Sequence, residues 1–221
     1  DLFVAARGNG ANLSFPFGQN CCRSCNSSYT CSNSRMEEQH FTDFLLPRMK
    51  LPRHKPPIFI ELGGFNGIHE SNTIFLQHCL GWRGVLFEAQ PAAFHDLLRN
   101  RPGVVAVQAA ISDECVAEGS TVSFEESPGT SGKIRPHNYT KRKLVTVPCA
   151  PLSRYVSLLG AEHISFLSLD VEGGELNVLR SLDWAAQSVG VLVVEELHEE
   201  SSFAKNAAVE AFLSRHTRMV K

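Results

Sequence analysis

The sequence predicts an α/β fold in which a doubly wound, mostly parallel sheet carries helices on both faces. The main observation is an alternation of short, continuous apolar runs with segments of helical spacing, which begins at residue 57. Apolar runs without polar alternation are typical of parallel strands that are buried on both faces. The composition agrees, because 43% hydrophobic and 20% charged residues in a chain of 221 are ordinary for a globular domain.

Five strands and four helices are predicted in this alternation. The strands are predicted at residues 57–62, 84–88, 104–110, 164–171 and 189–195, and the helices at 71–80, 91–100, 175–182 and 204–214. The first helix is expected to turn Ile74, Phe75 and Cys79 towards the core. Pro91 suits the first position of the second helix.

The segment before the first strand differs in composition and is predicted as a separate unit. An irregular, cysteine-bearing arm comes first, followed by a helix at 36–49 with Phe41, Phe44 and Leu45 on one face. Prolines mixed with basic residues then make a stiff linker that marks a boundary. The sequence ends where a closing strand is expected, so either the sheet lacks its usual last strands or these strands are truncated. The two predicted units are residues 1–56 and 57–221.

Four of the seven cysteines lie in a polar segment rich in serine and asparagine: Cys21, Cys22, Cys25 and Cys31. Such a segment cannot make a core, so disulfide bonds are the favoured interpretation. Zinc and free thiols are the alternatives, although adjacent cysteines make a poor tetrahedral arm. Cys115 and Cys149 are candidates for a bridge between the ends of an insertion, and Cys79 is expected to be a buried thiol.

Three N-x-S/T sequons occur in the chain, at Asn12, Asn26 and Asn138. Together with the cysteines they predict a glycoprotein of the secretory pathway, with the cytoplasm as the alternative. The formal net charge of −2 argues against a nucleic-acid partner, which usually requires a basic surface. No apolar run reaches the roughly 18 residues of a membrane span, so none is expected within this chain.

The region from 112 to 147 interrupts the alternation. Residues 121–124 are predicted as a hairpin strand, a loop rich in glycine and serine follows at 127–132, and a basic stretch ends the region. A solvated loop is the favoured interpretation. A substrate lid is the alternative, because long insertions in compact domains are often functional.

Polar residues follow three of the predicted strands. In an open α/β sheet, ligands bind beyond the carboxyl ends of the strands, at the switch in strand order. The first strand ends in Glu61-Leu62-Gly63-Gly64-Phe65-Asn66-Gly67, whose glycines let the backbone approach a ligand closely. Glu88 ends the second strand, where a carboxylate can accept hydrogen bonds from both hydroxyls of a ribose. These features predict a nucleoside-containing cofactor.

Two common nucleotide sites are disfavoured. A dinucleotide G-x-G-x-x-G motif ending at Gly67 needs a glycine at position 62, which is Leu62. A phosphate-binding loop needs a following G-K-S/T, which is missing. A nicotinamide-dependent oxidoreductase is therefore the weaker hypothesis.

The third strand end groups three carboxylates, Asp170, Glu172 and Glu175, after an apolar strand. Carboxylates are rarely grouped there for structural reasons, so a functional role is predicted for Asp170. Glu175 is equally suited to the first turn of the next helix, where an acid stabilises the helix dipole.

Four stretches, in this order and spacing, resemble the FkbM-type methyltransferases, in particular their eukaryotic branch. They are F-I-E-L-G-G-F-N-G, S-N-T-I-F-L, G-W-R-G-V-L-F-E-A-Q-P and S-L-D-V-E-G-G-E-L-N-V-L, between Ile58 and Leu213. Many family members have K-I-D-V-E-G in place of S-L-D-V-E-G, so any function of that lysine must be met differently here.

The resemblance implies a Rossmann-like fold that uses S-adenosylmethionine. It implies that Gly63, Gly64 and Gly67 line the methionine end, that Glu88 binds the ribose, and that Ser112 lies near the adenine. The full predicted cofactor set is Glu61, Gly63, Gly64, Phe65, Asn66, Gly67, Asn72, Glu88, Ala89, Ser112 and Asp170.

The reaction expected from the resemblance is O-methylation of a sugar, glycan or small-metabolite hydroxyl. A hydroxyl is a poor nucleophile, so a general base helps. The predicted catalytic residues are Asp170, Glu172 and His198, and the other candidates at this rim are His69, Glu70, Glu195 and Glu196. A divalent metal held by such carboxylates is possible but not favoured. The secretory signals, above all the cysteine arm, would place the enzyme in the Golgi lumen, where it would act on glycans. The alternative function is a non-catalytic FkbM-like interaction module.

Overall fold

The computed structural model describes residues 4–5, 40–51, 56–196 and 200–219. It contains ten strands: β1 (Val4–Ala5), β2 (Ile58–Leu62), β3 (Arg83–Phe87), β4 (Val105–Val107), β5 (Ala110–Ile111), β6 (Thr121–Glu125), β7 (Lys133–Arg135), β8 (Leu144–Ala150), β9 (His163–Leu169) and β10 (Ser188–Val194). Its α-helices are α1 (Ile74–His78), α2 (Pro91–Asn100), α3 (Leu152–Leu158), α4 (Glu175–Arg180) and α5 (Phe203–His216).

The main sheet has the order β1-β4-β3-β2-β9-β10. All its neighbouring strands are parallel except β1, which pairs antiparallel with β4 at the edge. The chain therefore builds outward from β2 to one side, then crosses over to β9 and builds to the other side. This confirms the predicted doubly wound, Rossmann-like sheet, with the switch in strand order between β2 and β9.

Each face of the main sheet carries its own apolar core. Ile60, Leu62 and Phe87 pack on one face against helices α3 and α4. Phe59, Leu86 and Phe166 pack on the other face against α1 and α2. Because successive residues of a strand point to opposite faces, one short apolar run serves both cores. The continuous apolar runs of the sequence are thus explained.

Gly84 is required by the packing of the second core. A Cβ at this position would lie 1.8 Å from the Phe59 ring on the neighbouring strand. Phe59 itself is fully buried. The glycine therefore makes room for a large aromatic side chain between the sheet and the helices.

The segment at 112–147 is more ordered than the favoured solvated loop. Strands β6, β7 and β8 form an antiparallel sheet, and β5 joins it through parallel pairing with β8. The prediction of one strand at 104–110 is wrong, because the structure has two strands there. β4 belongs to the main sheet and β5 to this second sheet. We call the four strands β5-β8-β6-β7 the insertion sheet.

A disulfide bond between Cys115 and Cys149 closes the insertion sheet, as the sequence suggested. Both cysteines are buried beside Phe124 and Val147 in a small third core. Cys79, predicted to be buried, is only half-buried.

The described part of the N-terminal unit packs on the domain. Phe41 is buried against Trp82 and Phe166. The predicted helix at 36–49 is wrong over residues 41–48, where a π-helical turn at Phe41–Leu45 is followed by a 3₁₀ turn at Leu46–Arg48. Phe44 is 53% exposed, so the expected common apolar face does not form.

The cysteine cluster at 21–31 and the sequons at Asn12 and Asn26 lie outside the described residues. The boundary between residues 1–56 and 57–221 stays a prediction. Within the described ranges, none of the helices has the length and apolarity that crossing a bilayer demands.

We expect the Cys115→Ala/Cys149→Ala double variant to lower the free energy of unfolding by about 4 kcal/mol, because the bridge closes a loop with a sequence separation of 34. Urea denaturation with and without a thiol reductant checks this. Reductant should destabilise the wild type and a Cys79→Ala control but leave the double variant unchanged. Equal sensitivity of all three proteins would contradict the structural role of the bridge.

Candidate functional site

A cavity of about 290 Å³ lies at the carboxyl ends of the central strands, where the strand order switches. Parallel strands bring their ends to one rim, so residues far apart in sequence meet there. Eight predicted cofactor residues line this cavity: Glu61, Gly63, Phe65, Asn72, Glu88, Ala89, Ser112 and Asp170. His69, Glu70 and Glu172 also line it.

Gly63 brings the loop after β2 into direct contact with the loop after β9. Its φ of +80° favours glycine, and a Cβ would lie 1.8 Å from the carbonyl oxygen of Asp170. Its N–H donates to Phe87 O at 3.1 Å, which ties the same loop to β3. Three strand ends therefore converge on one glycine, and no side chain fits there.

Gly64, Asn66 and Gly67 belong to the same loop but do not line the cavity. Gly64 and Gly67 are buried against Leu97 of helix α2. The Asn66 side-chain oxygen accepts hydrogen bonds from the N–H groups of Ile68 and His69. These three residues stabilise the turn through contacts within the protein. The structure does not place them against the cavity, where the predicted ligand contacts would be made.

The Glu61 carboxylate organises the segment that follows the glycine loop. It accepts hydrogen bonds from the Ser71 hydroxyl at 2.9 Å, the Thr73 hydroxyl at 2.6 Å and the Asn72 N–H at 2.7 Å. Both of its oxygens are thus used within the protein. This carboxylate holds the loop, besides lining the cavity.

Arg101, which the sequence analysis missed, completes this buried network. Its guanidinium lies 3.9 Å from Glu61 and is only 1% exposed. It donates to Gly67 O, to both the oxygen atoms of Thr73, to Ser71 and to Gln77. One buried cation thereby joins the glycine loop, the start of helix α1 and the end of helix α2. Its position after a helix-ending asparagine gave no signal beyond an ordinary basic residue.

Glu88 is buried at the end of β3, and its carboxylate faces the cavity. It accepts hydrogen bonds from Phe65 N at 2.8 Å and Gln90 N at 2.6 Å. Burial nevertheless raises the pKa of Glu88 to about 7, partly offset by these backbone donors. A ligand hydroxyl that donates to Glu88 would stabilise its ionised form.

Asn72 leaves one buried acceptor unused. Its side-chain N–H₂ donates to Ser168 at 3.0 Å, which fixes the orientation of the amide. Its Oδ1 is buried and has no hydrogen-bond partner among the described residues. An unsatisfied buried acceptor is costly, so this atom suits a donor group on a ligand in the cavity.

Four carboxyl groups meet at the ends of β9 and β10. Glu175 accepts hydrogen bonds from Val171 N and Gly173 N, which fits the helix-start role considered for it. Glu172 lies 3.9 Å from Lys133 of the insertion sheet. Asp170 and Glu195 share a hydrogen bond.

The Asp170–Glu195 pair titrates near neutral pH. Although Asp170 is exposed as a whole residue, desolvation of its carboxyl group at the crowded rim and repulsion from neighbouring carboxylates raise its pKa to about 6, and its hydrogen bond with Glu195 opposes the shift. Burial and the charge of Asp170 raise the pKa of Glu195 to about 8. At neutral pH these shifts favour an ionised Asp170 beside a protonated Glu195.

Backbone strain concentrates at this rim. Phe65, Glu70 and Glu172 are the described non-glycine residues with positive φ, at 43°, 56° and 56°, and all three line the cavity. Such conformations persist where the surroundings impose them, often at functional sites.

The insertion sheet covers one side of the cavity. Phe124, Lys133, Ile134 and Arg135 line it, and Gln90 holds the adjoining loop by accepting a hydrogen bond from Ser127 N at 2.9 Å. These residues were not predicted as site residues. Their placement supports the lid alternative over the solvated loop.

The remaining candidates lie elsewhere. His198 falls outside the described residues, and Glu196 is exposed and does not line the cavity. Lys205 of helix α5 does line it, next to Gly173, and was not anticipated. Within the described ranges no group of three or more histidine, cysteine, aspartate or glutamate side chains is arranged to hold a metal ion.

We expect Arg101→Met to lower the free energy of unfolding by about 3–5 kcal/mol, because it leaves the Glu61 carboxylate buried without its cation. The matched control is Arg99→Met, since Arg99 lies two residues before Arg101 and forms an exposed ion pair with Asp96. That change should cost less than about 1 kcal/mol. Urea denaturation measures both, and similar losses would refute the organising role of Arg101.

Comparison with known proteins agrees with this architecture. The family model of the methyltransferase FkbM domain matches residues 59–218. Searches of curated proteins and of solved structures find no match. The matched range contains the glycine loop, Glu88 and the carboxyl groups after β9 and β10. The chain belongs to the FkbM methyltransferase domain family.

Proposed function

We propose that this protein is an S-adenosylmethionine-dependent O-methyltransferase that acts on the hydroxyl of a sugar, glycan or small metabolite. Methyltransferases of this kind generally use S-adenosylmethionine, and the family supports methyl transfer. The observation that carries the proposal is the meeting of Glu88, Asn72 and Asp170 in one cavity at the switch in strand order. These residues are suited to bind a nucleoside ligand and to supply a general base beside it.

The cavity residues fit the methyl donor. Glu88 is suited to accept hydrogen bonds from the two ribose hydroxyls, since each carboxylate oxygen has a second lone pair beyond its backbone partner. The unused Oδ1 of Asn72 is suited to the ammonium group of the methionine moiety. Ser112, buried at the end of β5, lines the cavity on the side assigned to the adenine. Gly63 has no side chain, so its backbone is accessible to the ligand between these residues.

When bound, S-adenosylmethionine supplies an electrophilic methyl group on a positively charged sulfur. The protein's part is to orient the acceptor hydroxyl and to take its proton. Asp170 lies at the cavity mouth and is the proposed general base. Glu195, whose pKa is raised to about 8, is proposed to stay protonated at neutral pH and to donate a hydrogen bond to Asp170, which favours the ionised form of that base.

The acceptor is proposed to enter between the insertion sheet and the loop after β9. The Lys133–Glu172 ion pair spans this gap, and exposed Ile134 offers an apolar surface beside it. A sugar ring combines hydroxyls with apolar C–H faces, which suits such a mixed surface. The Cys115–Cys149 disulfide supports a location in the secretory pathway, and we place the reaction in the Golgi lumen.

Calorimetry with S-adenosylmethionine tests the donor site. We expect Glu88→Gln to weaken binding by about 10- to 100-fold, because two charge-assisted hydrogen bonds are lost. Wild-type affinity should rise with pH up to about 7, since the ligand hydroxyls favour the ionised Glu88, and this dependence should vanish in the variant. Glu118→Gln, on an exposed turn, is the control. No binding to the wild type would favour the non-catalytic interaction module.

Asp170→Asn is expected to reduce the rate of methyl transfer by roughly 10²- to 10⁴-fold while donor affinity changes little, because only proton removal is lost. The wild-type rate should rise with pH through about 6, as the pair loses its first proton. The pKa of Glu195, about 8, should add a second change of the wild-type rate near pH 8. The Glu195→Gln variant should keep the rise near pH 6 and lose the change near pH 8. Transfer of labelled methyl to a glycan panel across pH 5–9 provides the measurement. An unchanged pH profile in both variants would eliminate this pair as the base.

A further inference from the structure

An exposed turn of the insertion sheet carries the sequon Asn138-Tyr139-Thr140. The turn follows β7, and Tyr139 N–H donates to Pro136 O at 3.0 Å, which closes it. Asn138 and Thr140 are both exposed. Asn138 is therefore presented as an exposed residue on a hydrogen-bonded surface turn.

The neighbours of Asn138 hold this turn on the sheet. The Ser123 hydroxyl lies 2.5 Å from His137 Nδ1, and the Arg135 guanidinium lies 4.7 Å above the Tyr139 ring. Arg135 is itself bound to the buried Glu125. Among the described residues, no hydrogen bond engages the Asn138 side chain, so a substituent there would displace no contact of the sheet.

The disulfide in the same insertion supplies an independent indication of compartment. Cys115 and Cys149 are bonded and buried, and such bonds persist in oxidising compartments of the secretory route. N-linked glycosylation occurs on the same route, at N-x-S/T sequons on surface loops. One structural unit thus combines an oxidised bridge with an accessible acceptor asparagine.

We propose that Asn138 is a site of N-linked glycosylation. In the reaction, Asn138 Nδ2 forms a bond to the anomeric carbon of an oligosaccharide. The bond between that carbon and the pyrophosphate of a lipid-linked donor breaks, and one amide proton leaves. The lipid pyrophosphate is the leaving group, and no oxidant or reductant takes part.

The position of the site gives the glycan a physical role. β7 is the edge strand of the insertion sheet, and its outer backbone groups have no neighbouring strand among the described residues. Ile134 in this strand is 43% exposed on the side that lines the cavity. Exposed edges with apolar residues pair with other chains unless they are shielded. A glycan three residues after β7 shields this edge and leaves the cavity side of the strand accessible.

The test is expression of the whole chain behind a secretion signal in eukaryotic cells, followed by enzymatic removal of N-glycans and peptide mass spectrometry. We expect deglycosylation to convert Asn138 to aspartate in the wild type and in Thr140→Ser, which keeps the sequon. Thr140→Ala, which removes the sequon but keeps the asparagine, should be unmodified at this position. The other two sequons are replaced in all samples so that only Asn138 is read.

A second readout separates occupancy from folding. Secreted protein with an intact Cys115–Cys149 bond and an unmodified Asn138 would overturn the proposal, because the chain would have passed the compartment without modification. Light scattering then tests the shielding role, for which Thr140→Ala should self-associate more than Thr140→Ser. Equal association of these two variants would overturn that role. Neither outcome depends on methyl transfer.

Discussion

The buried ion pair between Glu61 and Arg101 is the interaction on which the geometry of the site depends. A charged pair in a protein interior is retained only when hydrogen bonds satisfy both groups, and here the two side chains share Ser71 and Thr73 as partners. This network fixes the path of the chain from the glycine loop to helix α1. It thereby sets where Gly63, Asn72 and the backbone around them face the cavity, before any ligand binds.

The two sides of the cavity are built by different means. On the donor side, a rigid parallel sheet, close glycine packing and the Glu61 network leave little freedom, which favours binding without large rearrangement. On the acceptor side, the insertion sheet meets the loop after β9 through a partly exposed ion pair. A contact of that type is weak and readily exchanged. The fold therefore gives the proposed donor site rigid walls and the proposed acceptor entrance a weaker, exchangeable contact.

The sequence predicted the parts of the site that follow from strand ends. Glu88 and Asp170 were found because parallel strands bring their carboxyl ends to one rim. Arg101 was missed because its hydrogen-bond partners lie 24 to 34 residues away in the sequence, and a basic residue at a helix end is usually exposed. Of the insertion sheet, only the strand at 121–124 was predicted, and the structure confirms it as β6; the other strands were missed because they pair non-locally. Gly67 was predicted to contact the ligand; in the structure it does not line the cavity and packs closely against Arg101.

A crystal structure with adenosylhomocysteine tests the central claim, that the loop network prepares a donor site between Glu88 and Asn72. The ribose hydroxyls should lie within hydrogen-bond distance of the Glu88 carboxylate, and the ligand ammonium should lie within the same distance of Asn72 Oδ1. The glycine loop should keep the backbone path that it has without ligand. A ligand bound elsewhere, or a loop that must break the Glu61–Arg101 pair to admit it, would contradict the account.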